Sequence, residues 1–367
     1  MTNEAVFRGQ NLNSGWPLEA KLPYVDAKLT DLSPATPLNP WLPGDSRVEV
    51  RAARVEVGEQ GLARAIASLA GDKLQHPRVW LKPGNRVGIT GTARWQGLPV
   101  PVAMDYQLER VDGHTVRLTP CGLTGGAARL AGLDFRKLLV PPAGAPATVA
   151  ADGVITLDLA KLAYLKADLK ALETGNGTLT ATIGGQPPRG PKAPAWFELA
   201  CKGDLDTGAG LLHDATAVCT APATLPLNDW QHAGSARLVR GRVAIAPDML
   251  ARQIEAAEPM FKVAKVTLVG TTYRVEGTYN AFVKLPTRFD LAFTRTAAGQ
   301  LRLVPANTRV MGFRAGKGGL GDDLAQLGFL KPDGDGFLVD LKAAAGLDMP
   351  KIGPLEAQDG CLMLGNP

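Results

Sequence analysis

The residues of this chain that could carry out chemistry stand singly, and no group of them has a catalytic spacing. The 367 residues contain no HExxH pair, no Gly-x-Ser-x-Gly elbow and no CxxC pair, which are the patterns of zinc hydrolases, serine hydrolases and cysteine metal or redox sites. The isolated residues are His76, His114, His213, His232, Cys121, Cys201, Cys219 and Cys361. We predict that the protein is not an enzyme and holds no metal and no cofactor.

The cysteines leave two alternatives open. Cys201 and Cys219 are placed so that they could lie on the two arms of one hairpin, and a disulfide there would indicate an oxidising compartment. We interpret all four cysteines as free thiols, with the disulfide as the alternative.

One glycine-rich segment fits a nucleotide-binding pattern. Gly316-Lys317-Gly318-Gly319-Leu320-Gly321 matches G-x-G-x-x-G and precedes a predicted short helix, where a pyrophosphate would bind at a helix N-terminus. The flanking sequence predicts antiparallel strands instead of the βαβ unit that this fingerprint requires. We interpret the segment as a flexible loop, and an enzyme or nucleotide binder is the weakest of three functional alternatives.

Two carboxylates recur at matching positions, Asp105 in the first half of the chain and Asp290 in the second. Paired acids can perform acid–base catalysis. Here each half holds one of them, and the alternation of apolar and polar residues puts both on the solvent-facing side of a strand. We predict that both are solvated surface residues.

The matching aspartates belong to an internal duplication of the whole chain. A Pro-Ala-Thr motif at 34–41 returns at 222–230, and an Arg-Val strand at 54–57 returns at 242–245. The offset between matching positions stays nearly constant to the end of the chain, so each copy is one whole folding unit. A Pro/Gly-rich run separates the copies and predicts an extended connection. We predict repeat 1 at residues 1–185, a linker at 186–194 and repeat 2 at 195–367.

Composition limits the class of protein. The chain is 45% hydrophobic and 20% charged with a net charge of +5, and no apolar run approaches the roughly 20 residues of a membrane helix. Its basic residues are dispersed, so we predict no nucleic-acid partner, and the oligomeric state is unknown. Arg237, Arg240, Arg242, Arg314 and Lys317 form a solvated face, with peripheral contact to an anionic membrane surface as the alternative. The compartment stays open: cytoplasmic if Met1 is the native start, cell envelope or extracellular if a leader was trimmed.

Each repeat contains one amphipathic helix followed by an antiparallel meander. Apolar residues recur at helical spacing after Leu62 in the first copy and after Leu250 in the second, where Pro247 and Asp248 suit the first helical turn. Period-two alternation then predicts strands, joined by turns at 112–113 and 297–299. A second short helix at 130–139 or 322–330 precedes a closing strand.

A sheet of five or six strands would be about 25 Å wide, whereas one helix covers about 10 Å. The helix alone therefore leaves part of the apolar sheet face uncovered. The sheet must curl around the helix, pack on another element, or leave a groove for an apolar ligand.

This order of elements resembles the LmeA-like phospholipid-binding domains of the tubular lipid-binding (TULIP) superfamily. The residues that carry the resemblance are Arg54-Val55-Glu56-Val57, Val87-Gly88-Ile89-Thr90-Gly91, Leu98-Pro99-Val100-Pro101-Val102 and Val111-Asp112-Gly113-His114. The resemblance implies a strongly curved antiparallel sheet that wraps a long helix and holds lipid between them, in two tandem copies.

We therefore predict an α+β protein of two tandem similar domains, each a strongly curved antiparallel sheet wrapped around a long amphipathic helix plus a short second helix. Its predicted function is to bind lipid or another long apolar molecule without converting it. The alternative is a structural or interaction protein with closed, fully packed domains and no ligand. The predicted cavity residues are Leu62, Ile66, Leu69, Ile89, Val102, Met104, Leu108, Leu250, Ile254, Phe261, Val275, Phe289, Leu291 and Phe293.

Overall fold

The computed structural model describes most of the chain and shows an antiparallel β protein built from three sheets. The described residues are 3–13, 19–32, 47–70, 74–95, 98–125, 146–162, 165–175, 177–206, 211–227, 235–280, 283–314, 328–345, 347–349 and 351–366.

The central sheet has 13 strands and contains strands from both halves of the chain. Its path runs β11 (Leu169–Gly175), β12 (Thr178–Gly184), β3 (Arg47–Gly58), β2 (Lys21–Leu32), β1 (Asn3–Asn13), β13 (Ala195–Lys202), β15 (Leu211–Ala221), β17 (Ser235–Ile245), β26 (Cys361–Gly365) and β25 (Leu355–Gln358). Three short strands lie beside this path: β10 (Leu165–Ala167) pairs with β3, β14 (Asp204–Asp206) with β15, and β16 (Leu225–Pro226) with β1.

Two outer sheets follow the central strands, one in each half. The first outer sheet has six strands in the order β4 (Leu74–Lys82), β5 (Arg86–Trp95), β6 (Leu98–Arg110), β7 (Thr115–Gly125), β9 (Ile155–Asp158) and β8 (Ala147–Val149). The second outer sheet has seven strands: β18 (Phe261–Val269), β19 (Thr272–Asn280), β20 (Lys284–Arg295), β21 (Leu301–Val310), β24 (Gly336–Val339) and β23 (Leu330–Asp333) in order, with β22 (Phe313–Arg314) on β21.

The helices are short, and this overturns the predicted fold class. Strands make up 69% of the described residues and helices 9%. The described helices are α1 (Glu59–Ala70), α2 (Pro247–Ala257) and α3 (Leu341–Ala345), with a 3₁₀ turn at Leu159–Lys161. The 12 residues of α1 span about 18 Å, whereas the 13 residues of β6 span about 43 Å. A helix of that length cannot serve as the axis of a wrapped sheet, so the prediction of a long amphipathic helix inside each sheet was wrong.

The two longer helices, α1 and α2, instead each join the central sheet to one edge strand of an outer sheet. The Glu59 carboxylate on α1 accepts a hydrogen bond of 2.8 Å from the backbone N–H of Leu81 on β4. The Glu255 carboxylate on α2 accepts one of 2.9 Å from the N–H of Val263 on β18. The helix boundaries agree with the sequence signals, because Pro247 lies in the first turn of α2 and Asp248 follows it.

Another sheet covers the apolar face that the helix leaves open. The inner face of the first outer sheet packs on the hairpin of β11 and β12, whose Leu169, Leu179 and Ile183 join the same apolar cluster. The sequence prediction missed this covering layer because the hairpin is distant in sequence from β4 to β6, the strands that it covers.

The strand order on one side of the central sheet repeats on the other. Outward from the middle, the first half supplies β1, β2, β3, β12 and β11, and the second half supplies β13, β15, β17, β26 and β25. β1 and β13 pair antiparallel from Glu4 opposite Lys202 to Gln10 opposite Trp196, so one continuous sheet joins the halves. The division into two repeats stays a prediction, and this order is the structural observation closest to it.

A repeated contact fixes each outer sheet near the start of a late strand of the central sheet, at Leu169 of β11 or at Ile352, which precedes β25. Arg110 Nε donates 2.7 Å to the carbonyl of Leu169, whose own N–H donates 2.8 Å to the carbonyl of Gly113. In the second half, Arg295 Nε donates 2.6 Å to the carbonyl of Ile352, and the Ile352 N–H donates 2.7 Å to the carbonyl of Gly299. We call these two sets of contacts the corner clamps.

Other local predictions have mixed outcomes. The turns at 112–113 and 297–299 do join antiparallel neighbours, β6 with β7 and β20 with β21. The predicted short helix at 130–139 and the corner at 34–41 lie outside the described residues, as does most of the predicted helix at 322–330. Strand β1 was not predicted.

Candidate functional site

The predicted cavity residues of the first half lie on the inner side of the first outer sheet. Two clusters of buried residues form there: the upper cluster of Leu74, Ala93, Val102, Met104 and Tyr106, and the lower cluster of Val79, Leu81, Val87, Leu108, Val116 and Leu169. The structure therefore brings Val102 and Met104 together in one cluster and places Leu108 in the other.

Helix α1 and strand β5 supply partly buried residues that pack against these clusters. Ile66 and Ile89 are partly buried and pack against both clusters, while Leu62 packs against the lower one. The side chain of Leu69 lies outside the described part of the chain. The apolar side chains of Leu62, Ile66 and Ile89 face inward and keep part of their surface accessible. We call this apolar strip along α1 and β5 the α1 groove.

Tyr106 in the upper cluster is a candidate that sequence reasoning missed. Its residue is 1% exposed, and burial raises its pKa to about 12. The hydroxyl lies 3.7 Å from the sulfur of Met104, a weak acceptor. The alternation of apolar and polar residues along β6 predicts that the Tyr106 side chain faces inward. Only the structure shows that its hydroxyl is buried within this apolar cluster.

Most of the predicted cavity residues of the second half are as deeply buried as Met104 and Leu108 of the first. Phe261, Val275, Phe289, Leu291 and Phe293 are each at most 5% exposed, and their cluster continues into the central sheet. The partly buried Leu250 and Ile254 of α2 pack against it.

In the second half, aromatic rings pack against one another. The rings of Phe261 and Phe289 lie 5.6 Å apart, and Tyr273 meets Phe293 edge-on at 5.9 Å. The Tyr273 hydroxyl donates to the carbonyl of Ile245 and accepts a 2.9 Å hydrogen bond from the N–H of Leu362, so this ring is fixed to the central sheet. Buried aromatic pairs fill space and stabilise a rigid interior.

The same positions carry smaller residues in the first half. The ring of Phe261 lies over Gly277, so that a Cβ added to this glycine would lie 2.5 Å from the ring. In the first half Leu74 lies over Gly91 in the same way, and a Cβ added there would lie 2.7 Å from Leu74 Cδ1. In the alignment of the two copies that matches Asp105 with Asp290, Met104 corresponds to Phe289 and Leu108 to Phe293. The first half therefore has the smaller side chain at these three inward positions, whereas Tyr106 is larger than Leu291, its counterpart in the same alignment.

The two recurring aspartates differ. Asp105 is exposed as predicted, but Asp290 is 5% exposed, so the prediction of a solvated surface was wrong for it. It accepts hydrogen bonds from Arg274 Nε at 3.1 Å and from Asn307 Nδ2 at 2.9 Å. Burial by itself would raise the pKa of Asp290, but these hydrogen bonds, with the charges of Arg274 and Arg288, lower it below its ordinary value.

The remaining polar candidates form no catalytic group in the described residues. His213 Nδ1 lies 2.6 Å from an Asp204 oxygen, whereas His76 and His114 are exposed; His232 lies outside the described part. No cluster of three metal-ligating side chains occurs within the described ranges. Lys317 and its glycine segment also lie outside them.

All four cysteines are free. Cys201 and Cys219 do lie on adjacent strands, but Cys219 is opposite Phe197 and not Cys201. The alternative of a disulfide across this hairpin is therefore wrong, because the two residues are out of register.

The basic residues of β17 face different surroundings. Arg237 is exposed, Arg242 pairs with Glu356 at 3.1 Å, and Arg240 Nε donates 2.9 Å to the Thr216 hydroxyl. Contact with an anionic membrane surface stays a prediction. None of the helices in the described ranges has the length and apolar character that crossing a bilayer requires.

Comparisons with known proteins add little to this geometry. No family profile matches the chain, and no curated protein matches it. Among solved structures, the chain is similar to a lipopolysaccharide binding protein, with 10% sequence identity over 98% of this chain and 97% of that one. The TM-score is 0.15, a value at which the likeness supports no argument about fold or function. The resemblance to LmeA-like domains stays a prediction.

Proposed function

We propose that the first half of the chain binds a lipid or another long apolar molecule in the α1 groove and does not convert it chemically. The observation that carries the proposal is the set of partly buried residues Leu62, Ile66 and Ile89, of which Ile66 and Ile89 pack against both buried clusters. A guest chain would replace water on these side chains.

The energy available to such a guest is sufficient for binding. Each buried methylene contributes about 0.8 kcal/mol, so roughly ten methylenes give about 8 kcal/mol, which corresponds to a micromolar Kd. The cost of ordering the guest reduces this value, so a longer acyl chain is the favoured ligand.

For the second half we propose a filled structural counterpart, in line with the alternative of closed, packed domains. Phe261, Phe289 and Phe293 have larger side chains than the residues at the matching positions of the first half. Those residues are Leu74, Met104 and Leu108. One binding half and one filled half predict about one ligand per chain.

The test is native mass spectrometry of the purified full chain, followed by organic extraction and binding of cis-parinaric acid to the delipidated protein. We expect one bound apolar molecule per chain. Met104→Phe introduces the residue found at the matching position of the second half and reduces the space for a guest. We expect this variant to bind the probe about tenfold more weakly, which corresponds to the loss of roughly two buried methylenes.

The matched control is Phe289→Met, which makes the reverse change at the equivalent position of the second half. We expect it to keep the affinity of the wild type, with circular dichroism showing that both variants retain their sheets. A chain that neither carries an apolar molecule nor binds the probe contradicts the proposal, and so does equal binding by Met104→Phe and wild type.

A further inference from the structure

A depression of about 400 Å³ lies on the outer face of the central sheet where the two halves meet. We call it the seam depression; its lining residues are Val6, Arg8, Glu198, Ala200, Thr216, Val239 and Arg240. The alternation of β1 turns Arg8 away from Phe7, which is buried in the core, so this site and the core lie on opposite faces. Its volume falls at the lower end of the range of ligand pockets, about 300–1,000 Å³.

One end of the seam depression has an excess of negative charge. Arg8 lies between two carboxylates, with Nε 3.3 Å from Asp26 Oδ2 and Nη1 3.6 Å from Glu198 Oε1. The second distance is too long for a hydrogen bond. The other oxygen of Asp26, Oδ1, is buried without a hydrogen-bond partner among the described residues. The single guanidinium of Arg8 therefore compensates the charge of two carboxylates, and the Glu198 carboxylate can still accept hydrogen bonds from a ligand.

The other end carries the positive charge of Arg240. Thr216, 8% exposed, holds Arg240 through a 2.9 Å hydrogen bond from Nε to its hydroxyl. Within the described ranges no carboxylate lies at salt-bridge distance from Arg240, so its two terminal nitrogens can bind an acid in the forked geometry typical of arginine. Val239, 47% exposed, adds an apolar wall beside it.

We propose that the seam depression binds a small zwitterion with an apolar portion, its acidic group on Arg240 and its cationic group on Glu198. The charges of Arg8, Arg240, Asp26 and Glu198 cancel in sum but are separated in space, which favours a ligand that is itself neutral and dipolar over a simple anion or cation. The exposed side chain of Val239, together with Val6 and Ala200 from the same lining, contacts the apolar portion. The site is independent of the α1 groove.

The test is calorimetric titration of the full chain with two zwitterions of different charge separation, L-leucine and 6-aminohexanoate. Each is compared with 4-methylpentanoate, which lacks the amine, and with isoamylamine, which lacks the acid. We expect at least one zwitterion to bind about tenfold more tightly than either single-charge probe.

The variants Arg240→Gln, Glu198→Gln and Arg237→Gln assign the two ends. Arg237 is an exposed arginine on the same strand that does not line the depression, so its variant controls for net charge. We expect Arg240→Gln and Glu198→Gln each to weaken zwitterion binding by about tenfold, and Arg237→Gln to leave it unchanged. Failure of both zwitterions to bind at about 10 mM overturns the proposal. Equal losses in the Arg240 and Arg237 variants also overturn it, since they would indicate nonspecific charge effects.

Discussion

Replacing Asp290 by Asn should destabilise the protein, whereas the same change at Asp105 should not. The Asp290 side chain is 7% exposed and its partner Arg274 is 40% exposed. Breaking a fully buried ion pair costs about 3–5 kcal/mol, and exposed pairs contribute about 0.2–1 kcal/mol. Because water can reach Arg274 after the change, we expect an intermediate loss of about 2 kcal/mol for Asp290→Asn. For the exposed Asp105→Asn we expect a change within about 0.5 kcal/mol.

The measurement is urea unfolding followed by tryptophan fluorescence, extrapolated to water for the wild type and both variants. The effect also has a defined pH dependence. Asp290 has a folded pKa below its ordinary value of 3.8, so its stabilisation is complete above that value and is lost as the pH falls through the folded pKa. The difference between wild type and Asp290→Asn should therefore narrow at pH values below 3.8. Equal losses at Asp105 and Asp290, or a difference that stays constant at low pH, would refute the reasoning.

Two further predictions concern the corner clamps and the thiols. Arg110→Met and Arg295→Met should each lower the free energy of unfolding by about 1 kcal/mol, because each removes one hydrogen bond to a carbonyl at the same corner of its half; urea unfolding checks this, and a loss in only one variant would contradict the equivalence of the clamps. Burial raises the pKa of Cys219 to about 12, so at pH 8 iodoacetamide should modify the exposed Cys121 in the folded protein and leave Cys219 unmodified. Mass spectrometry of tryptic peptides gives the result, and rapid labelling of Cys219 would contradict its burial.

Local signals in the sequence predicted the parts of the fold that depend on neighbouring residues. The alternation of β6 placed Val102, Met104 and Leu108 inward, and all three are buried. Pro247 and Asp248 marked the start of α2. These features depend on period and on capping, which a single segment contains completely.

Pairing between distant segments could not be predicted in the same way. Strand β1 is polar in part, and its partners are β2 and β13, the second of which begins only at Ala195 in the other half of the chain. The long helix was expected from the resemblance to LmeA-like domains; the apolar stripe itself shows which face of a helix is buried and does not fix where the helix ends. The covering of the first outer sheet by β11 and β12 has no local signal.

The burial of Asp290 shows why the surroundings of polar residues were harder to predict from the sequence than those of apolar residues. The alternation along β20 places the Asp290 side chain on the opposite face of the strand from Phe289, and this is correct. However, the pairing register of β20 and β21 shifts between Arg288 and Asp290. At this irregularity Asn307 adopts a left-handed φ of 54° and directs its amide to the carboxylate. A bulge changes the surroundings of one side chain without disturbing the hydrophobic pattern.

The pairing of β1 with β13 has a consequence for any attempt to separate the halves. A cut in the linker would free a strand edge along Glu4–Gln10 in one fragment and along Trp196–Lys202 in the other. An uncovered edge recruits whatever strand it meets. Each fragment produced alone would be prone to self-association along this edge, and mixing the two fragments would restore the native partner to both.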